Sequence, residues 1–283
     1  MSHPWMPASP CGDGCVSRDS DRAGMFRVGL RYARLTATMS VLPVLPAAGV
    51  LPVRWRRRVQ RGYARAMLRA LGLRLSVRDE RGPDPAETGR GVLAVAGHVS
   101  WLDVLALSAV EPGDFVARAD LLGWPLLGWV AHRMRVLPID RDRLRDLPGV
   151  VDEAAERLRT GTRVVVFPEG TTWCGRAYGR LRPALFQSAI DAGAVVAPIG
   201  LHYLRPDGRT ETGVCFVGEQ SLVATLRRIV RLREVRIEVR LVPVQEPGDD
   251  RRELAARCER LLRGGEIDDL VARMLPMPTP LAS

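Results

Sequence analysis

The chain contains no lysine: all 42 of its basic residues are arginine, an absence that reflects compositional bias more than mechanism. Aromatic residues make up only 5%, with no aromatic run of the kind that stacks on bases, no zinc-finger spacing and no basic region followed by heptads. A net charge of +10 therefore does not point to nucleic acid. Cysteines are few, at 11, 15, 174, 215 and 258, odd in number and without a paired C-x2-C. That excludes a disulfide framework and gives no zinc signature, so no metal is expected and a reducing compartment fits. Cys11, Cys15 and His3 lie in a polar stretch and read as incidental. No charged start followed by an apolar core opens the chain, so a signal peptide is excluded. Residues 1–24, rich in Pro, Gly, Ser and Asp, read instead as a disordered tail. Neither a G-x-S-x-G elbow nor a Cys-His pairing occurs, which argues against a hydrolase with a covalent intermediate. Internal repeats are absent.

What is present divides unevenly. Residues 1–70 hold 12 Arg against 3 Asp, a net of +9, leaving +1 for residues 71–283. Within the basic part, Leu35 to Val53 is a run of 19 residues without a charge, long enough for a membrane span. Pro43, Pro46, Pro52 and Gly49 would break a straight helix. Arg27, Arg31 and Arg34 precede the run, and Arg54, Arg56, Arg57 and Arg58 follow it, so both ends favour the same side of a bilayer. A re-entrant or interfacial hairpin fits better than a crossing, and the alternative is a buried segment of a soluble domain. Arg54 to Leu71 has the pattern of a basic amphipathic helix, with Val59, Tyr63, Ala66, Met67 and Ala70 near one face and Arg61, Arg65 and Arg69 elsewhere. Residues 25–72 thus read as a membrane-associating helical segment and 73–265 as the main domain, with 266–283 a C-terminal tail.

From Leu73 the pattern alternates. Apolar runs at 73–77, 92–96, 114–117, 134–139, 163–167, 195–199, 212–217 and 235–242 read as strands. Helical patterns fill 101–110, 121–132, 142–159, 183–192, 219–231 and 250–262. The fold class expected is α/β: a largely parallel, mixed sheet flanked by helices, with functional loops at the strands' carboxyl ends.

One turn stands out. The run Val92–Ala96 ends at Gly97, then His98, with Ser100 and Asp103 forming an S-x-x-D helix start. His98 falls in a strand-to-helix turn, and Asp103 is placed to reach back to one imidazole nitrogen and leave the other for a substrate. The same spacing also arises where Asp103 merely completes a capping box. Three further turns carry polar chemistry. Asp140-Arg141 closes the run 134–139, presenting a guanidinium suited to a phosphate. Pro168-Glu169-Gly170-Thr171-Thr172 follows the run 163–167, with amides and hydroxyls able to hold an anion. Pro198 sits in Val196–Gly200, a strand ending in a small residue. A salt bridge between Glu169 and Arg141, with the threonines capping a turn, is the structural alternative.

Taken together, GHVSWLD (97–103), GWPLLGWVAHRMRVLPIDR (123–141), FPEGTTW (167–173) and VAPIGL (196–201) resemble, in order and spacing, the four blocks of the lysophosphatidic-acid acyltransferase family, the H-x4-D glycerolipid acyltransferases. The resemblance covers roughly residues 55–205. It departs at Gly97, where family members often have Asn, and at Arg182-Pro183, where many carry a lysine. It implies transfer of a fatty acyl group from an acyl-CoA or acyl carrier protein thioester to the hydroxyl of a lyso-lipid, without a cofactor. His98 would be the general base and Asp103 its orienting partner. Arg141, Glu169, Gly170, Thr171 and Thr172 would seat the acceptor's head group, with Ser100, Pro198 and Arg182 as secondary contributors. Glu169, being acidic, suits orienting Arg141 or a backbone amide rather than meeting phosphate. The acceptor implied is lysophosphatidic acid. Alternatives are another lyso-lipid, such as a lyso-ornithine-type lipid, a lysophospholipid or a glycolipid, and a non-catalytic peripheral membrane protein. The expected location is the cytoplasmic face of the cell membrane, with the bilayer as partner and no nucleic acid.

Overall fold

Strand β2 (Val92–Ala96) sets the layering of the molecule. Successive side chains of a strand point to opposite faces, so its five buried apolar residues serve two cores at once. Leu93 and Val95 pack on one side with the helices that contribute Leu158, Phe186, Ala189 and Leu254, while Ala94 and Ala96 pack on the other with Leu68, Leu102 and Leu107. A computed structural model describes residues 7–17, 19–42, 52–82, 89–123, 128, 135–140 and 143–263.

The other strands are β1 (Leu73–Asp79), β3 (Asp114–Arg118), β4 (Leu137–Ile139), β5 (Arg163–Val166), β6 (Val195–Leu204) and β7 (Val235–Leu241). They form a seven-stranded sheet in the order β1-β7-β6-β2-β5-β3-β4. Every pairing is parallel except β6 with β7. The mixed, largely parallel α/β sheet expected from the alternating pattern is therefore the fold found. Helices α1 (Met25–Ser40), α2 (Val53–Ala70), α3 (Leu102–Val110) and α6 (Leu222–Arg231) lie with the core that includes Ala94. Helices α4 (Leu147–Arg159), α5 (Gln187–Ala192) and α7 (Arg251–Arg263) cover the other face.

Differences from the sequence reading have physical causes. The run 212–217 is not a strand: Thr212–Val214 is a single 3-10 turn, buried under α6 and capped by the Glu211 side chain. Residues 7–17 and 19–24 are not a loose tail. Ser17 N–H donates to Thr212 Oγ1 (2.9 Å), Ser20 Oγ to Glu211 Oε1 (2.8 Å), and Ala23 N–H to the Arg231 carbonyl (2.8 Å). Those partners lie some two hundred residues on, so no local pattern announces them.

The arginines also depart from a lipid-facing reading. Arg31 is buried and donates to the carbonyls of Val230, Leu232 and Arg233, capping the carboxyl end of α6. Arg61 and Arg65 do the same for α3, reaching the carbonyls of Val110 (3.1 Å) and Ala109 (3.0 Å). No helix among the described residues is long and apolar enough to cross a membrane. The prolines at 43 and 46, most of the helix expected over 121–132, and the tail 266–283 lie outside the described residues.

Candidate active site

Strands β2 and β5 are parallel neighbours, with Val95 opposite Val166, so the turns that follow them leave the sheet at the same end. The first carries His98 and the second Phe167 to Thr172. They are tied together through backbone and side chain. His98 N–H donates to Glu169 Oε2 (2.9 Å), and the His98 carbonyl accepts from Trp173 N–H (2.7 Å). Phe216 N–H then bonds the Val99 carbonyl (2.9 Å). The imidazole lies on the Phe167 ring, centroids 4.2 Å apart and planes 18° from parallel. Backbone and ring are both fixed.

His98 Nδ1 is 2.8 Å from Asp103 Oδ2. The same oxygen accepts the N–H groups of Val99 (2.7 Å) and Ser100 (2.9 Å), and Oδ1 accepts the Tyr203 hydroxyl (2.6 Å). Burial together with the adjacent Asp103 charge pushes the Tyr203 phenol well above its ordinary range, so it stays a donor. The Val99 and Ser100 amides and the Tyr203 hydroxyl all donate to this fully buried carboxyl group, which makes it the acceptor toward the imidazole as well. The proton between the pair therefore sits on Nδ1, and Nε2 carries the lone pair. Among the described residues nothing bonds Nε2, and the His98 side chain retains 18% of its exposure. This is a base aimed outward, with its tautomer set by a buried carboxylate.

Asp103 and Ser100 do form part of the expected capping arrangement. The aspartate reaches back to the Ser100 amide, but the Ser100 hydroxyl caps nothing: it is buried without a partner among the described residues. Ser100 supports Asp103 through its backbone alone.

Glu169 is placed differently from a ligand of substrate. Its side chain is buried, one oxygen held by the His98 amide and the other by Arg263 (3.0 Å). Burial raises its carboxyl to about 8, against the opposing pull of the His98 amide and Arg263. The cation it meets is thus Arg263 of α7, which also holds Glu259 (2.6 Å). Arg141, the partner weighed from sequence, lies outside the described residues.

Gly170 turns with φ of 74°, a left-handed conformation open to glycine, and a Cβ there would meet Pro7 Cγ at 2.6 Å and Arg182 Nε at 3.6 Å. The exposed Arg182 guanidinium therefore stands beside the Gly170 turn, while its backbone N–H bonds the Pro168 carbonyl (3.0 Å). Thr171 is half-buried in the same turn. The Thr172 hydroxyl is committed to the Phe216 carbonyl, so it holds the loop rather than an anion. Pro198 is buried in β6 opposite Val95 and lines the sheet, not the turn. At Gly97 a Cβ would find ordinary contacts near 3.7 Å from Glu169, and the support for the histidine turn comes from Glu169. Tyr203, Arg263 and the stacking role of Phe167 had no separate signal in the sequence. Neither did the meeting of Cys11, Cys15 and Cys174, whose sulfurs lie within 4.8 Å of one another.

Known proteins resemble this chain in sequence and in fold. A family model described as Acyltransferase matches residues 77–202. The lyso-ornithine lipid O-acyltransferase of Pseudomonas aeruginosa is 32% identical over 247 residues, 87% of this chain and 91% of that protein. The 1-acyl-sn-glycerol-3-phosphate acyltransferase of Neisseria meningitidis serogroup B is 35% identical over 207 residues, 72% of this chain and 79% of that protein. In three dimensions the chain is similar to the crystal structure of the 1-acyl-sn-glycerophosphate (LPA) acyltransferase PlsC from Thermotoga maritima, with a TM-score of 0.62 at 17% identity, covering 88% of this chain and 99% of that one. The chain is an enzyme that transfers an acyl group to a lysolipid, and it belongs to the lysophosphatidic-acid acyltransferase family.

Proposed function

We propose that this acyltransferase moves a fatty acyl group from an acyl thioester, acyl-CoA or acyl carrier protein, to the free hydroxyl of lysophosphatidic acid, giving phosphatidic acid at the cytoplasmic face of the cell membrane. The observation that carries the reading is the locked His98–Asp103 pair with Nε2 left as the base. His98 Nε2 takes the acceptor's hydroxyl proton as that oxygen attacks the thioester carbonyl. The C–S bond breaks as the tetrahedral centre collapses, and the imidazolium returns the proton to the leaving thiolate. Asp103 keeps the ring oriented and stabilises its charge meanwhile. A base so placed contributes about 10²–10⁴-fold.

Arg182 beside the Gly170 turn supports an anionic acceptor, with Arg141 of the second block adding a second guanidinium and the Thr171 amide a further donor. Glu169 acts by holding the His98 amide. The bilayer is supported by α1 and α2. Met25 and Phe26 are 91% and 87% exposed, and Met39, Val41, Val53 and Trp55 are also exposed near the helix ends. A cavity of about 360 Å³ next to α1 is lined by Arg27, Arg34, Arg74 and Arg233 together with Glu234, which pairs with Arg74, and so keeps the net positive charge an anionic lipid surface attracts.

A second reading, acylation of a lyso-ornithine lipid, is favoured by the extent of the match to relatives so named, 87% of the chain for the Pseudomonas aeruginosa protein and 89% for the Brucella abortus one. Purified protein in mixed micelles, given labelled acyl-CoA or acyl carrier protein with each lyso-lipid separately, decides by mass spectrometry of the product. Phosphatidic acid is the expected product, lost with His98→Ala. Turnover of lyso-ornithine lipid alone would replace the first reading with the second.

A further inference from the structure

The three sulfurs of Cys11, Cys15 and Cys174 come from two parts of the chain, and all three thiols are free. Cys11 and Cys15 flank the 3-10 turn Asp13–Cys15, whose closing bond runs from Cys15 N–H to the Gly12 carbonyl (2.9 Å). Cys174 directly follows Trp173 at the end of the loop that begins at Phe167. Buried thiols often serve as small apolar groups, as Cys258 does in the core beneath α7. The trio is different in two respects. Its sulfurs are mutual neighbours, which apolar packing does not require. They also come from segments far apart in sequence, one turn holding Cys11 and Cys15 and a distant loop holding Cys174, after which Gly175 with φ of 81° turns the chain. Cys215, buried in the same core cluster as Cys11 and Cys174, is the next sulfur at hand.

Tetrahedral zinc with Zn–S of about 2.3 Å sets its sulfurs about 3.8 Å apart. Sulfurs already within 4.8 Å of one another need only small side-chain rotations to reach that spacing. We propose that Cys11, Cys15 and Cys174 bind a structural zinc ion that clamps the N-terminal segment onto the loop following Phe167. Each coordinated thiol releases its proton to solvent, and the fourth position falls to Cys215 or a water molecule. The clamped segment is the one that brings Pro7 against Gly170, so the ion holds one wall of the turn that carries Glu169 and Thr171.

The test uses the untagged full chain purified without chelator. Elemental analysis is expected to find about one zinc per chain, and exchange with cobalt to give thiolate-to-cobalt charge-transfer absorption. Cys15→Ser and Cys174→Ser are expected to lose most of the bound zinc, and Cys258→Ser to keep it. Should the first two variants fold poorly, the cobalt spectrum of the unaltered chain still decides. Protein that takes up neither zinc nor cobalt overturns the proposal, whether its five thiols titrate as free or two of them are found joined in a disulfide.

Discussion

The Tyr203 hydroxyl donates a 2.6 Å hydrogen bond to Asp103 Oδ1 across 100 residues of sequence, from the end of β6 to the first turn of α3. It is the only side-chain hydroxyl among the described residues found on that carboxylate, and it comes from the strand next to the one that carries His98. Removing it in Tyr203→Phe leaves a buried oxygen short of a donor, which costs about 1–3 kcal/mol. Denaturant unfolding should read that loss. Steady-state assays should show a lower kcat with the acceptor KM little changed, because the residue orients the base and does not reach the lipid.

Glu169 gives a pH signature. Its carboxyl is raised by burial from 4.5 to about 8 in the folded chain. Between those values the folded state holds a proton that the unfolded state has released, so stability declines as pH rises. The contribution is complete below pH 4.5 and lost as pH passes about 8. Glu169→Gln removes that slope while keeping an acceptor for the His98 amide. Melting temperatures from pH 5 to 9 should therefore converge or cross between the two proteins; parallel curves would show that Arg263 keeps Glu169 ionised throughout.

At the Gly170 turn, two substitutions separate conformation from charge. Gly170→Ala places a side chain where φ is 74° and Pro7 stands 2.6 Å from the new Cβ, a backbone cost of about 1–2 kcal/mol before the clash. It should lower stability and raise the acceptor KM together. Arg182→Ala, on an exposed side chain, should raise the acceptor KM about tenfold while lowering melting less than Gly170→Ala does, the loss of one charge-assisted contact of about 1.5–3 kcal/mol being the upper bound. An unchanged KM for the anionic acceptor would remove Arg182 from its binding.

The sheet and its order of elements were legible because β2, β5 and β6 are buried on both faces and read as unbroken apolar runs. His98 and Asp103 were legible because their contact closes within five residues. What escaped was set by contacts that sequence spacing does not encode. Arg31, Arg61 and Arg65 look like a lipid-facing charge until the carbonyls of α6 and α3 are seen beneath them. Glu169 meets Arg263, 94 residues on, a partner that no spacing announces. The run 212–217 has strand-like composition, but no described strand edge is offered to it, and Glu211 folds it into a turn.

The docking of residues 17–23 against 211–233 has a consequence for how the molecule is made. During synthesis that stretch leaves the ribosome some two hundred residues before its hydrogen-bonding partners. It must wait unsheltered while the strands between assemble, and its docking belongs among the final events of maturation.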